Sequence, residues 1–269
     1  MNGIALDLGI IQIYWYSIFI LLAISVASII IYLQMKKLKI DEQVFFDLSF
    51  NTVIIGLIGA RIYYILFNLS YYLKNPIEIL EIWNGGLAIH GAIIFGGIYL
   101  IHYCKKYNYK ILKLLDIIVV GLIIGQAIGR WGNFFNQEAF GAVTSIKELQ
   151  ARGIPQFVIN GMNILGEYRE PTFFYESIWN IFGFLALIII RICPSLRNGQ
   201  LTGTYLLWYS VGRFAIESHR TDSLMIYNFK MAQIISVVLA IIGTILILRG
   251  ILKKEKIELY HKEGLRNEL

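Results

Sequence analysis

Long apolar runs are the feature that most constrains the fold of this chain. A helix that crosses a bilayer needs about 20 consecutive apolar residues, because lipid offers the backbone no hydrogen-bond partners. The chain has 269 residues, of which 57% are hydrophobic and only 16% are charged. An average soluble domain carries about 25% charged residues. The sequence therefore predicts an all-α, polytopic membrane protein.

Seven apolar runs are predicted to be transmembrane helices. Interfacial aromatic residues or lysines flank several of them, as is typical of membrane spans. We expect a single integral-membrane domain over residues 1–269, with a polar extracytoplasmic segment at 129–171 and a charged cytoplasmic tail at 249–269. The predicted spans are 14–35, 48–67, 87–103, 111–128, 172–190, 201–218 and 229–248.

The distribution of basic residues predicts the orientation of the spans. Lysines and arginines concentrate after the first, third, fifth and seventh spans. The positive-inside rule therefore places the N-terminus outside and the C-terminus in the cytoplasm. Membrane topology also explains the net charge of +6 better than nucleic-acid binding does. Cys104 and Cys193 then lie at cytoplasmic span ends, where a disulfide is not expected.

A polar stretch, Gly129–Gly141, follows the fourth span and reads GRWGNFFNQEAFG. Arg130, Asn133 and Glu138 lie within it, at the point where the apolar run ends. Such groups are costly near hydrocarbon unless they pair or face a polar cavity, so their default interpretation is functional. An ordinary helix end with a polar loop would explain one or two of these polar residues, but not all of them.

The sixth span carries Tyr209, Arg213 and Glu217, spaced four residues apart and hence on one helical face. An intrahelical ion pair explains Arg213 and Glu217 equally well, but it does not account for Tyr209. Arg130 and Arg213 both suit a phosphate, because guanidinium is planar, permanently charged and two-pronged. From these residues alone we expect a protein that binds an anionic phospholipid.

Three further residues have both a structural and a functional interpretation. His90 lies near the outer end of the third span; a lone histidine in an apolar run is more often structural, but its glycine neighbours favour function. Arg61, in the second span, is equally suited to pairing with a carboxylate of the bundle and to binding lipid. Tyr16 is better interpreted as an interfacial anchor.

These segments resemble the prolipoprotein diacylglyceryl transferases, a family of bacterial membrane enzymes. Their signature, Gly-Arg-x-Gly-Asn-Phe-x-Asn-x-Glu-x-x-Gly, is matched at every fixed position by Gly129–Gly141. The segment around His90 is similar to the family's Gly-Gly-x-x-x-His-Gly, and that around Arg61 to Gly-x-Arg-x-x-Tyr. The spacing of Arg213 matches Tyr-x-x-x-Arg-x-x-x-Glu, and Tyr16 aligns with a Trp-Tyr pair near the family's N-terminus.

One position departs from the family pattern. Members commonly show His-Pro-x-x-x-Tyr-Glu before the fifth span, whereas this chain has Glu170 in place of the histidine. A role for that histidine does not transfer, and Glu170 is not among the predicted site residues.

The resemblance implies an activity, a location and a set of site residues. The enzymes of this family transfer the diacylglyceryl group of phosphatidylglycerol to the lipobox cysteine of prolipoproteins, forming a thioether and releasing glycerol phosphate. This is the first step of lipoprotein maturation, and it takes place in the cytoplasmic (inner) membrane of bacteria. The expected partners are phosphatidylglycerol, prolipoprotein signal peptides and membrane lipid, with no nucleic acid, cofactor or metal. The implied catalytic residues are His90, Arg130 and Arg213, and the implied lipid-binding residues are Arg130, Asn133, Glu138, Gly141, Tyr209, Arg213, Glu217, Arg61 and Tyr16.

The roles implied for these residues follow general chemistry. Arg130 and Arg213 would stabilise charge on the leaving phosphate, and Asn133, Glu138 and Glu217 would hold the arginines and the substrate in register. An imidazole titrates near neutral pH, so His90 would serve as the general base that takes the thiol proton.

Two other classes of protein compete with this interpretation. A small-anion transporter or channel would also use buried arginines, but transporters often show inverted repeats and none is evident in this sequence. A non-catalytic membrane scaffold would leave the arginines without a purpose.

Overall fold

The computed structural model describes residues 3–7, 9, 12–82, 85–221, 225–227 and 229–266. Within these ranges a long helix coincides with each predicted span. These long helices are α1 (Trp15–Lys37), α2 (Glu42–Phe67), α4 (Ile89–Lys106), α5 (Ile111–Asn136), α8 (Thr172–Arg191), α9 (Gln200–His219) and α10 (Met231–Leu252).

Short elements connect the long helices. Among the described residues, the short helices are α3 (Leu69–Tyr72), α6 (Ile146–Ala151), α7 (Gln156–Gly161) and two 3₁₀ turns, Pro76–Leu80 and Lys254–Lys256. In the part of the chain that the structure describes, three small antiparallel hairpins pair β1 (Ile4–Asp7) with β2 (Gln12–Tyr14), β3 (Asn163–Ile164) with β4 (Glu167–Tyr168), and β5 (Met225–Ile226) with β6 (Phe229–Lys230).

Five of the described helices, α1, α2, α5, α8 and α10, are long and apolar enough to cross a membrane. The expectation of a helical, multi-pass membrane protein is therefore confirmed. Helices α4 and α9 occupy the other two predicted spans. Polar residues dilute both of them, among them His90 in α4 and Arg213 in α9. The total of seven spans and the orientation of the termini stay predictions.

The clearest difference from the predicted boundaries is at the end of α5. The fourth span was expected to end at residue 128, but the helix continues to Asn136. Arg130 is therefore helical rather than part of a loop. The extension is stabilised by packing, because Phe134 is buried in an apolar cluster with Phe173 and Trp131 packs against that cluster.

The chain divides into two compact units. Unit 1 comprises Met1–Leu33 and Leu115–Lys262, and unit 2 comprises Gln34–Leu114 and Glu263–Leu269. In unit 1, α9 packs along α8 and α10, and in unit 2, α2 packs along α4.

Between α5 and α8, unit 1 contains a small folded segment built from α6, α7 and the β3–β4 hairpin. Its core includes the fully buried side chains of Leu149, Val158 and Ile159. Ser145 and Glu148 form a capping box at the start of α6, and such a box satisfies two backbone N–H groups that the helix leaves unpaired. Thr144 also hydrogen-bonds the Glu148 carboxylate, and these contacts lower the pKa of Glu148.

Candidate active site

A buried carboxylate shared by two arginines lies at the centre of the site in unit 1. Arg130 Nη2 on α5 lies 2.5 Å from Glu176 Oε2 on α8. Arg213 Nη1 on α9 donates to Glu176 Oε1 at 2.7 Å. The side chain of Glu176 is only 7% exposed, so it depends on these two cations for compensation of its charge. One carboxylate thus joins three helices.

A second carboxylate completes the network. Arg213 Nη2 lies 2.7 Å from Glu217 Oε2, and the Glu217 side chain is 3% exposed. The intrahelical pair considered from the sequence is therefore present, but Arg213 also bridges to α8. The four charges of Arg130, Arg213, Glu176 and Glu217 sum to zero. Each guanidinium has five N–H donors, more than the carboxylates use, so donors remain for a further anion.

Two tryptophans fix α8 against α9 beside this network. Trp179 Nε1 donates to Trp208 O and Trp208 Nε1 donates to Trp179 O, each at 3.0 Å. The two indole rings stack at a centroid distance of 4.6 Å. Gly212 makes this possible, because a Cβ there would overlap the Trp179 ring. The contact lies about one turn from both Glu176 and Arg213, and it therefore limits how far these side chains can separate.

A buried aspartate fixes the beginning of α9 to α5. Asp116 accepts hydrogen bonds from the backbone N–H of Gly199 at 2.5 Å and of Thr202 at 2.7 Å. The Thr202 hydroxyl donates to the same carboxylate at 2.6 Å. Negative charge at a helix N-terminus is favourable, so Asp116 helps to hold the helix that carries Arg213.

Asn133 and Glu138 form one structural unit at the end of α5. Asn133 Nδ2 donates to Glu138 Oε1 at 2.8 Å, and the Glu138 N–H donates to Asn133 O at 3.1 Å. Gln137 and Ala139 both have positive φ values, 51° and 56°. These conformations are uncommon for residues other than glycine. They turn the chain so that the Glu138 carboxylate points back to α5.

The glycines of the signature allow close approach of other segments. A Cβ on Gly132 would lie 2.8 Å from Tyr16 Cδ2, so Tyr16 packs directly on the signature helix. A Cβ on Gly141 would lie 2.9 Å from Glu170 Cβ and 3.0 Å from His219 O. Both glycines are therefore required by packing.

Tyr209 lies one turn before Arg213 on α9, as the spacing predicts. It lines a small cavity together with Glu176 and Arg213, and its ring stacks on that of Tyr205 at a centroid distance of 6.0 Å. The cavity has a volume of only about 10 Å³, which is about the space of one water molecule, so Tyr209 lies close beside the arginine network.

Arg61 and His90 belong to unit 2, whereas the other predicted site residues belong to unit 1. Arg61 donates hydrogen bonds to backbone carbonyls that follow it in the sequence. The structure therefore favours a structural role for Arg61, with carbonyls in place of the expected carboxylate. His90 is exposed in the first turn of α4, and its ring lies 6.0 Å from that of Tyr63.

Sequence reasoning missed Glu176, the residue that connects the site. Two features of the sequence indicated that Glu176 belongs to the site. Glu176 ends the Tyr-Glu pair of the motif that begins at Glu170, and it is an ionisable group near the start of an apolar span, where function is the default interpretation.

Glu170, which stands where the family commonly has a histidine, lies beside a histidine from a distant helix. Glu170 Oε1 accepts from Arg152 Nη1 at 2.7 Å, and Glu170 Oε2 lies 3.3 Å from His219 Nδ1. Because the Arg152 guanidinium donates this hydrogen bond to the Glu170 carboxylate, its pKa is raised above the ordinary value. The imidazole near this position thus comes from α9.

The fold and the site define a multi-pass membrane protein with a buried arginine–carboxylate network that suits an anionic head group. Comparison with known families agrees with this class. The family model for prolipoprotein diacylglyceryl transferase matches residues 3–249, and the chain belongs to this family.

Several relatives named phosphatidylglycerol–prolipoprotein diacylglyceryl transferase cover most of the chain. One from Staphylococcus xylosus is 44% identical over 249 residues, which are 92% of this chain and 89% of the relative. Another, from Pediococcus pentosaceus, is 43% identical over 242 residues, 90% and 87% of the two chains. A third, from Listeria innocua, is 42% identical over 248 residues, 92% and 89% of the two chains. The resemblance noted in the sequence is confirmed.

Proposed function

We propose that this chain transfers the diacylglyceryl group of phosphatidylglycerol to prolipoproteins, the first step of lipoprotein maturation. Its membership of the family and the names of its relatives support both substrates. The observation that carries the proposal for this chain is the buried network in which Glu176 joins Arg130 to Arg213. We further propose that the enzyme is a multi-pass protein of the bacterial cytoplasmic membrane.

The reaction is a displacement at carbon. The thiolate of the lipobox cysteine attacks the glyceryl carbon that carries the phosphate ester. A carbon–sulfur bond forms while the carbon–oxygen bond breaks, and the electron pair of the broken bond leaves with glycerol phosphate. The product is a thioether, and the thiol proton must pass to a base.

Arg130 and Arg213 bind the phosphate and stabilise the charge that builds on it as it leaves. Their contacts with Glu176 fix the two guanidiniums before the substrate arrives, so little reorganisation is needed during the reaction. Such preorganised charge is worth most in a site of low dielectric constant. Glu217 pairs with Nη2 of Arg213, and the hydrogen bond between Asn133 and Glu138 stabilises the conformation at the end of α5.

His90 takes the proton of the thiol. Its imidazole is exposed at the beginning of α4, which leaves it accessible to a substrate. Proton transfer by a positioned side chain typically contributes about 10²–10⁴-fold to the rate.

A reconstituted transfer assay tests this proposal. The purified protein in phosphatidylglycerol vesicles is incubated with a lipobox peptide, and the product is followed by mass spectrometry. We expect a thioether-linked diacylglyceryl peptide, and no product from a matched peptide in which serine replaces the cysteine. Vesicles of phosphatidylcholine should give no product. Anion flux across the vesicles without modified peptide would instead support a transporter.

A further inference from the structure

All the described hydrogen bonds of Arg61 go to one segment of backbone. Arg61 lies in α2 and is 7% exposed, and its guanidinium lies 5.2 Å from the ring centroid of Tyr72. Every acceptor is a main-chain carbonyl 17 to 25 residues later in the chain. The acceptors are Ile79 O for Nε at 3.0 Å, Gly85 O and Gly86 O for Nη1 at 2.8 and 3.1 Å, and Glu78 O and Glu81 O for Nη2, the latter at 3.4 Å.

The two glycines of this segment are needed for these contacts. Gly85 and Gly86 have φ values of 86° and 70°, a region that favours glycine. A Cβ on Gly86 would lie 2.6 Å from Arg61 Nη1 and 2.8 Å from Tyr64 Cε1. The positive φ values of the two glycines therefore turn their carbonyls towards the guanidinium, and at Gly86 the approach is also too close for a side chain.

The chain from Gly86 to the start of α4 is held on α2 as well. The Ala88 N–H donates to Ala60 O at 3.1 Å, directly beside Arg61. On the other side of His90, Gly91 packs so closely that a Cβ would overlap Gly59 O. His90 is thus placed between two backbone contacts with α2, and the carbonyls bound by Arg61 come just before them.

We propose that Arg61 is a positioning residue for His90. By holding the carbonyls of Glu78, Ile79, Glu81, Gly85 and Gly86, Arg61 sets the point at which α4 begins and hence the position of the imidazole. This inference rests on the proposed role of His90 as the general base. The Nε, Nη1 and Nη2 groups all donate to carbonyls, so Arg61 holds the backbone rather than a lipid phosphate.

Lysine cannot reproduce this arrangement. Its ammonium is a single point with three donors, whereas the guanidinium is a planar fork that here reaches carbonyls from residue 78 to residue 86. In Arg61→Lys the segment loses most of its contacts while the positive charge is retained. A displacement of about 1 Å at a reacting group can cost about 100-fold in rate.

The test separates positioning from lipid binding and from general stability. We measure kcat, the KM for phosphatidylglycerol and the thermal midpoint for Arg61→Lys, Arg61→Gln and Gly86→Ala, which disturbs the same contact from the other side. We expect kcat to fall about 100-fold with an almost unchanged KM. Arg197→Lys is the matched control, because Arg197 also donates to a backbone carbonyl, that of Ile257; its kcat should not change.

A double-variant cycle with His90→Gln supplies the decisive comparison. If Arg61 acts through His90, Arg61→Gln should lower kcat strongly in the wild-type background and less than about threefold in the His90→Gln background, since coupled residues are not additive. The inference would be overturned if Arg61→Gln lowered kcat as strongly in the His90→Gln background as in the wild type. It would also be overturned if Arg61→Gln raised the KM for phosphatidylglycerol and left kcat unchanged.

The same cycle shows whether the proposed function itself fails. A His90→Gln variant with wild-type kcat would refute the general base, and the positioning role with it. A His90→Gln variant with strongly reduced but measurable kcat, in which Arg61→Gln causes its full loss again, would refute only the role of Arg61.

Discussion

The carboxylate of Glu176 should be essential because two arginines depend on it. Two unit charges 4 Å apart interact by about 4 kcal/mol at an effective dielectric constant of 20. The contacts with Arg130 and Arg213 therefore provide roughly 8 kcal/mol, and desolvation of the buried ions offsets several kcal/mol of this. Removal of one partner from a buried ionic network costs about 3–5 kcal/mol. We expect Glu176→Gln to lose about 3 kcal/mol of the free energy of unfolding.

The activity should fall as well. The glutamine amide can accept from one guanidinium, but its NH₂ group then faces the other, so the fixed spacing of the two arginines is lost. Loss of one preorganised charge contact typically lowers the rate about 10²–10³-fold. Reversible unfolding in mixed detergent micelles measures the stability, and transfer to a lipobox peptide measures kcat/KM.

Glu167→Gln is the matched control. Glu167 also pairs with an arginine, Arg169, at 2.5 Å, but its side chain is 54% exposed. A surface pair of this kind contributes about 0–1 kcal/mol, so both stability and activity should be almost unchanged. The reasoning would be refuted if Glu176→Gln behaved like this control in both measurements.

Four further predictions concern the site and the topology. Arg130→Lys and Arg213→Lys should each lower transfer about 10²–10³-fold at matched membrane levels, because lysine keeps the charge but not the fork; near-normal rates would exclude both from the phosphate site. The double variant Arg213→Gln, Glu217→Gln should be inactive although folded, since Glu176 loses one of its cations; an active double variant would reduce Arg213 to a structural partner. His90→Gln should lose most activity at neutral pH and recover at high pH, where the substrate thiol ionises unaided; a near-normal rate at neutral pH would exclude the base. Cys193 should react with a membrane-impermeant thiol reagent only after cells are permeabilised, and hydrogen bonding to Ser195 lowers the pKa of its thiol, which favours the reactive thiolate; labelling of intact cells would refute the orientation.

The structure also refines the choice of cysteine for the topology measurement. Both Cys104 and Cys193 are expected to be cytoplasmic, but Cys104 is buried whereas Cys193 is exposed. Only Cys193 is therefore a useful reporter in the folded protein, and Cys104 should react slowly even in permeabilised cells.

The sequence by itself predicted the long helices and the helical face shared by three of the candidate site residues. Hydropathy is a local property, so each apolar run predicted a helix that the structure contains. Tyr209, Arg213 and Glu217 share a face because helical periodicity requires it. The predicted end of α5 was wrong because Phe134 packs against Phe173, which lies far away in the sequence. Such tertiary packing extends a helix beyond its apolar run.

Only the tertiary structure decided which groups pair. An ionisable residue in a span needs a partner, but the sequence does not say which one. Arg213 has a candidate partner four residues away, yet it also binds Glu176, 37 residues away. Arg61 was expected to meet a carboxylate or a lipid, and in the structure it donates to backbone carbonyls. Partners depend on how helices pack together, and packing joins residues far apart in the chain, where local sequence patterns carry no information.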